Sequence, residues 1–475
     1  MEKHTISVGQ KIAFGLGMLA NQMFPAALGI FIVVLINDLG FNPLLYGVIA
    51  FIPRFIDAIT DPLMGFISDN TKSKWGKRRQ YVFIGAFLTG ISFILMWQLY
   101  PENGINFNFW YFLFFSLLFY LGITIFGIPF VAMGYEMSDD FHERTQIMAI
   151  AQFIGQFAWI IVPWFWVLIY DPSVFADPAS GSRQLSIIVG ITCTLLAVIP
   201  AIFIKSKSSL NEKNLVPVTR KNIGKSFTNT FIILGDAFRN VPFRKLCIAT
   251  VLVFGSFQTI AAFSFFIIVH YLFTGDAAAA GVWPTLHGSI GATITTFLVI
   301  PIINLMTKRF GKRDTFLISQ GISIIGYILF WFLFVPGKPY MFLFALPFFS
   351  FGIGGLFTLM MSMTADVCDY EELRNGLPRK EGTFGAFYWW MVKLGVALAG
   401  LFSGLIMYYV GFSPDALSQT EGALTGLRLA YSGIPIAGTL IAMYVMRDYD
   451  LNEDRAYEIK QQLEIRRQGE SPNVI

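Results

Sequence analysis

Twelve runs of about 20 to 28 mostly apolar residues, joined by short polar connections, organise the 475-residue sequence. About 20 such residues cross a hydrocarbon core of ~30 Å at 1.5 Å per residue. Inside that core the chain must satisfy its own backbone hydrogen bonds, which leaves helices or closed barrels. The runs are too long and continuous for the alternating ten-residue strands of a barrel, so each reads as a helix. The spans cover residues 12–37, 44–69, 80–99, 108–134, 147–170, 185–204, 245–273, 279–306, 314–335, 340–364, 385–411 and 425–446. Charged residues make up 13% of the chain, against about 25% in soluble domains, which excludes a water-soluble enzyme. The fold class expected is an all-α membrane protein of twelve transmembrane helices.

Orientation follows from Lys and Arg, which collect on the cytoplasmic side of such chains. With the N-terminus cytoplasmic, 29 of the 34 lie on that side, three (Arg183, Lys338, Arg428) lie opposite, and Arg54 and Lys393 fall inside spans. Both termini are therefore expected in the cytoplasm, with the protein in a plasma membrane, the inner one in a bacterium. The net charge of +4 thus reflects topology and does not imply a nucleic-acid partner. The N-terminal MEKHTISVGQK lacks the short apolar core and cleavage site of a signal peptide, so the first span is expected to be retained. Cys193, Cys247 and Cys368 have no CxxC spacing, which points to neither a disulfide framework nor a zinc site.

The longest polar connection, 205–244, separates six spans from six. The expected organisation is an N-terminal six-helix bundle (1–204), a cytoplasmic central loop (205–244), a C-terminal six-helix bundle (245–446) and a cytoplasmic tail (447–475). Residues Ile223 to Arg239 have the pattern of an amphipathic surface helix. The halves echo each other. KWGKRR at Lys74–Arg79 returns as RFGKRD at Arg309–Asp314, with Gly76 and Gly311 235 residues apart, and FGI occurs at Phe126 and at Phe351. Two six-helix pseudo-repeats of parallel topology are a transporter architecture, in which the halves rock around a central site.

A charge inside a span costs at least ~2.5–3.5 kcal/mol on insertion scales, so it marks a functional site by default. The second span holds three in RFIDAITDP: Arg54, Asp57 and Asp61. Spacings of three and four place them on one helical face. Their charges sum to minus one. Either a mobile cation, sodium or a proton, occupies the carboxylates and couples transport, or Lys393 in the eleventh span balances them in a structural ion-pair network. The second serves stability poorly, since buried pairs rarely outperform apolar packing. Sodium needs about five or six oxygens, and Thr60 and Thr124 are polar neighbours that could add to the two carboxylates; a proton needs one carboxyl of raised pKa.

The run RFIDAITDPLMGFISDNTKSKWGKRR, with GYEMSDDFHERTQ at Gly134–Gln146, ADVCDY at Ala365–Tyr370 and KEGTFGAFYWWMVKLG at Lys380–Gly395, resembles the glycoside-pentoside-hexuronide:cation symporter family of the major facilitator superfamily, the family of melibiose permease. The resemblance spans nearly the whole chain. It implies sodium- or proton-coupled sugar symport, with the cation held by Asp57 and Asp61 beside Thr60 and Thr124, and with Lys393 matching the family's helix 11 lysine. In the melibiose permease branch, aspartates in helices 1 and 4 and an arginine in helix 5 clamp the sugar; the matching positions here are Gln22, Gly127 and Gln152. The charged clamp is absent, so melibiose itself is not the expected substrate.

Amide, hydroxyl and aromatic groups recognise sugars in mostly apolar pockets. Asn21, Gln22, Gln152, Gln156, Gln258, Trp389 and Trp390 are the substrate-binding candidates, each with interhelical packing as the alternative. The basic loops Lys72–Arg79 and Lys308–Arg313 serve either as topology charge alone or as a gate. As a gate, Asp69, Arg78, Arg144, Asp366 and Asp369, with Glu136, Asp139 and Asp140, would form weak surface pairs that lock one conformation.

Several motifs fail. TRKNIGKS at Thr219–Ser226 lacks the first glycine and the strand of a phosphate-binding loop, and GLGMLA at Gly15–Ala20 lies within a span. His142 and Glu143 begin no HExxH, and His270 and His287 stand alone. No cofactor is expected beyond the coupling ion, and a monomer is expected. Two alternatives stay open: transport of another amphipathic solute such as a lysolipid, and a membrane-embedded enzyme acting on lipid-linked sugars, for which a buried acid would be the base.

Overall fold

A computed structural model describes residues 6–138, 141–205, 208–210, 215–375, 381–414, 416 and 418–467. Among them the chain is helical: α1 (Val8–Phe31), α2 (Val33–Asn37), α3 (Pro43–Asp69), α4 (Arg79–Met96), α5 (Gly104–Glu136), α6 (Phe141–Ile161), α7 (Trp164–Tyr170), α8 (Pro178–Phe203), α9 (Arg220–Arg239), α10 (Val241–Phe266), α11 (Ala277–Ala280), α12 (Trp283–Ile294), α13 (Ile300–Leu333), α14 (Leu346–Asn375), α15 (Glu381–Tyr409), α16 (Glu421–Arg447) and α17 (Glu453–Arg467). The surface helix read at Ile223–Arg239 is α9. Eleven segments are long and apolar enough to cross a membrane. One, Ala277–Leu333, has 57 residues, far beyond the ~20 that a crossing needs. It turns at Gly311, whose φ of 74° interrupts the helix, so this segment supplies two crossings and the described residues hold twelve.

Two compact units emerge. The first contains Met1–Thr230 with Gly275–Ser289 and Gly411–Gln419; the second contains Phe231–Thr274, Ile290–Val410 and Thr420–Ile475. Within the first, α5 packs on α4 and α3, α1 on α6 and α8, and α4 on α8. Within the second the pairing repeats: α14 packs on α13, α10 on α15 and α16, and α13 on α16. The echo between KWGKRR and RFGKRD has a backbone cause. Gly76 has φ 87° and Gly311 φ 74°, a region that only glycine enters without strain.

Small residues set the closest helix approaches. A Cβ on Gly85 of α4 would stand 2.4 Å from the Phe126 nitrogen in α5, and one on Gly326 of α13 would stand 2.4 Å from the Phe349 nitrogen in α14. Glycine at these crossings lets backbones meet, which is how helices associate where lipid removes the hydrophobic drive. The same device closes corresponding helix pairs in both units.

Two of the three basic residues assigned by sequence to the Lys/Arg-poor side have a structural use there. Arg183 donates to the Leu99 carbonyl oxygen (2.7 Å) with its guanidinium over the Tyr100 ring. Arg428 donates to the Trp331 carbonyl oxygen (2.6 Å), lying over the Tyr271 and Trp331 rings. Both occupy carbonyls close to helix C-termini, where cations are favoured. Between α6 and α7 the helix breaks at Val162 and Pro163; the carbonyl oxygens of Ile160 and Pro163 accept hydrogen bonds from Ser289 (2.8 Å) and Thr285 (2.7 Å).

Asp38, just past the end of α2, accepts a hydrogen bond from the Tyr170 hydroxyl. Burial raises its pKa to about 7, against the hydrogen bonds from Tyr170 and Asn37, and the negative charge of Asp177 adds to the rise. The folded protein thus keeps a proton that the unfolded chain loses near the ordinary carboxyl value of 3.8, so this group's contribution to stability falls as pH rises from about 4 to about 7 and is level above. The Asp38→Asn variant lacks that loss. Its melting temperature in detergent is expected to gain on the wild type between about pH 5 and about pH 8; parallel profiles would refute the assignment.

Candidate functional site

The second crossing is α3, started by Asn42, whose side chain accepts from the Leu44 N–H, with Pro43 in the first turn. Its polar face carries the three charges. Asp57 is buried, 4% exposed, while the preceding Phe55 and Ile56 are exposed, so the helix turns its carboxylate into the protein and its apolar side outward.

Thr124 of α5 reaches both carboxylates. Its hydroxyl donates to Asp57 Oδ1 at 2.6 Å and lies 3.3 Å from Asp61 Oδ1. One hydroxyl has one hydrogen, and the shorter contact goes to Asp57. The Thr60 hydroxyl lies 3.2 Å from Thr124 Oγ1 and 3.1 Å from the Asp57 carbonyl oxygen. Two carboxylates and two threonine hydroxyls from α3 and α5 are therefore gathered at one place, and all four were named from sequence. Arg54 turns toward the other end of α3: Nη1 donates to the Ala50 carbonyl oxygen (2.7 Å), and its guanidinium lies 5.8 Å from the centre of the Tyr120 ring.

A second polar cluster joins α1 and α6. Gln22 Nε2 donates to Gln152 Oε1 at 3.0 Å, and the Trp159 indole N–H donates to Gln22 Oε1 at 3.0 Å. Sequence reasoning found both glutamines and missed Trp159. The available signal was its spacing, seven residues from Gln152 and three from Gln156, which returns it to the same helical face. Glycine at 155 makes room, since a Cβ there would stand 2.6 Å from Gln22 Nε2. Asn21 faces Gly127, its Oδ1 3.0 Å from where a Cβ would be, so the side chain that fills this space comes from α1. The Asn21 amide also contacts the Met18 sulfur at 4.0 Å. Gln156 shares the α6 face without joining the two-bond chain.

Gln258, Trp389, Trp390 and Lys393 belong to the second unit, on α10 and α15. These helices approach at Gly255 and Gly395, where a Cβ on Gly255 would lie 3.6 Å from the Gly395 carbonyl oxygen. Trp390 stacks on Phe387 at 5.6 Å and packs against the core of the unit; Trp389 stacks on Phe357 at 6.2 Å. These contacts give both rings a packing role.

The charged loops make ion pairs within each unit. Arg78 pairs with Asp69 (2.6 Å) and Glu136 (3.0 Å), joining the ends of α3 and α5. Lys312 pairs with the buried Asp366 of α14 at 2.6 Å, and Asp369 is buried one turn on. All three pairs use a basic residue that follows a positive-φ glycine, Gly76 or Gly311. The gate candidates Asp139 and Asp140 and the side chain of Arg144 lie outside the described residues.

The family model for MFS/sugar transport proteins matches residues 13–453. The chain is 24% identical over 464 residues to the glucuronide carrier protein homolog of Escherichia coli (strain K12), covering 96% of this chain and 95% of that protein. It is 23% identical over 473 residues to the inner membrane symporter YicJ of the same organism, covering 98% and 96%. Among solved structures, a bacterial homolog of the human lysosomal transporter Spinster, inward-facing and occupied, superposes with a TM-score of 0.69 at 15% identity, covering 94% of this chain and 97% of that one. This likeness concerns the fold.

Proposed function

Because the chain belongs to the MFS/sugar transport protein family, we propose that it is a cation-coupled symporter that moves a sugar, glycoside or hexuronide by alternating access. It is an integral membrane transport protein and not an enzyme. One observation carries the coupled reading: a single threonine hydroxyl lies within 3.3 Å of two carboxylates presented one turn apart by the same membrane-spanning helix. An apolar packing of equal volume would be cheaper if stability were the only purpose. Carboxylate and hydroxyl oxygens from Asp57, Asp61, Thr60 and Thr124 suit a hard cation, and a carboxylate can instead carry a proton. Arg54, on the same helix as the carboxylates, sets the local charge balance against which that cation enters, and Lys393 on α15 is the charge-coupling candidate of the second unit. The amides of Gln22 and Gln152, with Asn21 and Gln156, are the substrate-binding groups of the first unit, and Gln258 is that of the second. The Arg78 and Lys312 pairs are the gate elements, each closing the ends of helices in its own half. The glucuronide carrier homolog supports a sugar derivative as cargo, and the symporter relative supports coupling and a location in the inner membrane of a bacterium.

By linkage, cation and sugar each tighten the binding of the other by the same factor. The test is uptake into proteoliposomes carrying an imposed sodium gradient or an imposed pH gradient, screened against hexoses, pentoses, their glycosides and their uronates. Accumulation driven by one of the two gradients is the expected result. Uptake that never exceeds equilibration under either gradient would sink the coupled reading, and uptake of no sugar would sink the substrate class.

A further inference from the structure

With the Gln22–Gln152 cluster read as a substrate-binding group, Trp159 sets what that cluster presents. An indole nitrogen donates a hydrogen bond and cannot accept one. Its 3.0 Å contact with Gln22 Oε1 therefore fixes which end of the Gln22 amide faces the indole, and the NH2 end is turned to Gln152 Oε1 on the same helix, again at 3.0 Å. The two bonds run in one direction, from ring to amide to amide. What remains at the far end is the Gln152 NH2 group, which has no partner among the described residues, and the second N–H of Gln22. Both are donors. Two glutamines free to rotate would offer either end equally, whereas in this pair both oxygens already accept a bond and the uncommitted N–H groups are what the pair has left to give. Glycine at 155 is part of the arrangement, because any side chain there would enter within 2.6 Å of Gln22 Nε2 and push the amide out of line. The Trp159 ring is 43% exposed, so it is not a core filler whose N–H found a partner incidentally.

We propose that Trp159 is a positioning residue that polarises the Gln22–Gln152 pair into a donor edge, selecting a sugar derivative whose oxygen at that point bears no hydrogen. A carboxylate oxygen and a glycosidic oxygen share that chemistry. A free hydroxyl there accepts from one amide but turns its own hydrogen toward the neighbouring donor, so it forms one bond where an oxygen without hydrogen accepts two.

Two substitutions separate this from a structural role. Trp159→Phe keeps an aromatic ring and removes the N–H. Gln22→Glu keeps the size and makes position 22 an acceptor only, so that Gln152 must turn its NH2 inward and present Oε1 outward. Uptake is measured in proteoliposomes for matched sets of free hexose, methyl glycoside and uronate in the gluco and galacto series. In the wild type, the uronate or the methyl glycoside has a lower KM than the free hexose of its set, and which of the two leads distinguishes carboxylate from glycosidic oxygen. In Trp159→Phe the KM of the preferred member rises roughly tenfold while Vmax holds, the loss of one oriented hydrogen bond. In Gln22→Glu the order shifts toward the free hexose. An order unchanged in both variants, or a fall in Vmax alone in Trp159→Phe, overturns the assignment of Trp159 while leaving the symporter reading intact. Uptake of no member by the wild type overturns that reading and this inference together.

Discussion

Asp57→Asn and Asp61→Asn each abolish gradient-driven accumulation while leaving a protein that still inserts. Membrane potential is worth about 2.3 kcal/mol per elementary charge per 100 mV, so a symporter moving one net charge can hold its substrate about 50-fold above equilibrium at 100 mV. Removing the carboxylate that carries the charge brings this ratio to about one, since no binding energy elsewhere replaces a driving force. Insertion survives because asparagine is cheaper than a carboxylate in a span. Thr124→Val is the graded control. It keeps the volume but removes the hydroxyl 2.6 Å from Asp57 and 3.3 Å from Asp61, and a hydrogen bond to a charged group is worth about 1.5–3 kcal/mol. The apparent cation affinity therefore changes roughly ten- to hundredfold, falling for sodium, which loses an oxygen of its shell, and rising for a proton, because the lost hydrogen bond favoured the ionised carboxylate. The measurement is steady-state accumulation of a transported sugar against cation concentration, beside exchange across equilibrated membranes. Normal accumulation by the Asp61→Asn variant removes the coupling assignment.

Gly85→Leu and Gly326→Leu are expected to eliminate folded protein. The atoms met at 2.4 Å are backbone nitrogens of Phe126 and Phe349, which cannot rotate aside as a side-chain tip can. Overpacking a well-packed crossing costs about 1–3 kcal/mol or more. A side chain that separates two helices also forfeits the contacts along their length, which takes the loss toward the diagnostic range of about 4–5 kcal/mol. Gly433→Ala in α16 is the matching control, since nothing lies within 4 Å of a Cβ there. A monodisperse peak for the control and loss of that peak for both leucine variants, by size-exclusion chromatography of detergent-solubilised protein, is the expected outcome. A monodisperse Gly85→Leu variant would show that α4 and α5 can part without cost.

Much of the site was legible because burial of charge in lipid is so unfavourable that a few polar letters in an apolar run are informative. Asp57 and Asp61 were found this way, and the i to i+4 spacing put them on one face without any tertiary information. Gln22 and Gln152 were found by the same logic, sharpened by where charged residues stand in similar sequences. Trp159 was not found, because aromatic residues make up 16% of this chain and one more tryptophan in a span carries no distinguishing signal; its meaning lies in a single N–H direction. Trp389 and Trp390, named from the sequence, stack on Phe357 and Phe387. The span ends were read short where helices outrun the membrane: α5 continues to Glu136 and α14 to Asn375, because hydropathy registers the lipid boundary and not the end of hydrogen bonding.

The sequence by itself determined the local and one-dimensional properties: the crossings, the basic loops, the carboxylate face of α3, and the repeat that places a left-handed glycine after the second helix of each half. These depend on transfer free energies and backbone sterics that act within a few residues. Only the tertiary structure decided that Thr124 reaches both carboxylates, that Lys312 is the partner of Asp366, that Gly275–Ser289 groups with the first compact unit, and that Trp159 orients two amides. Each of these depends on how helices distant in sequence cross, and that is set by the fit of many side chains at once, to which no short stretch of residues contributes enough to be read alone.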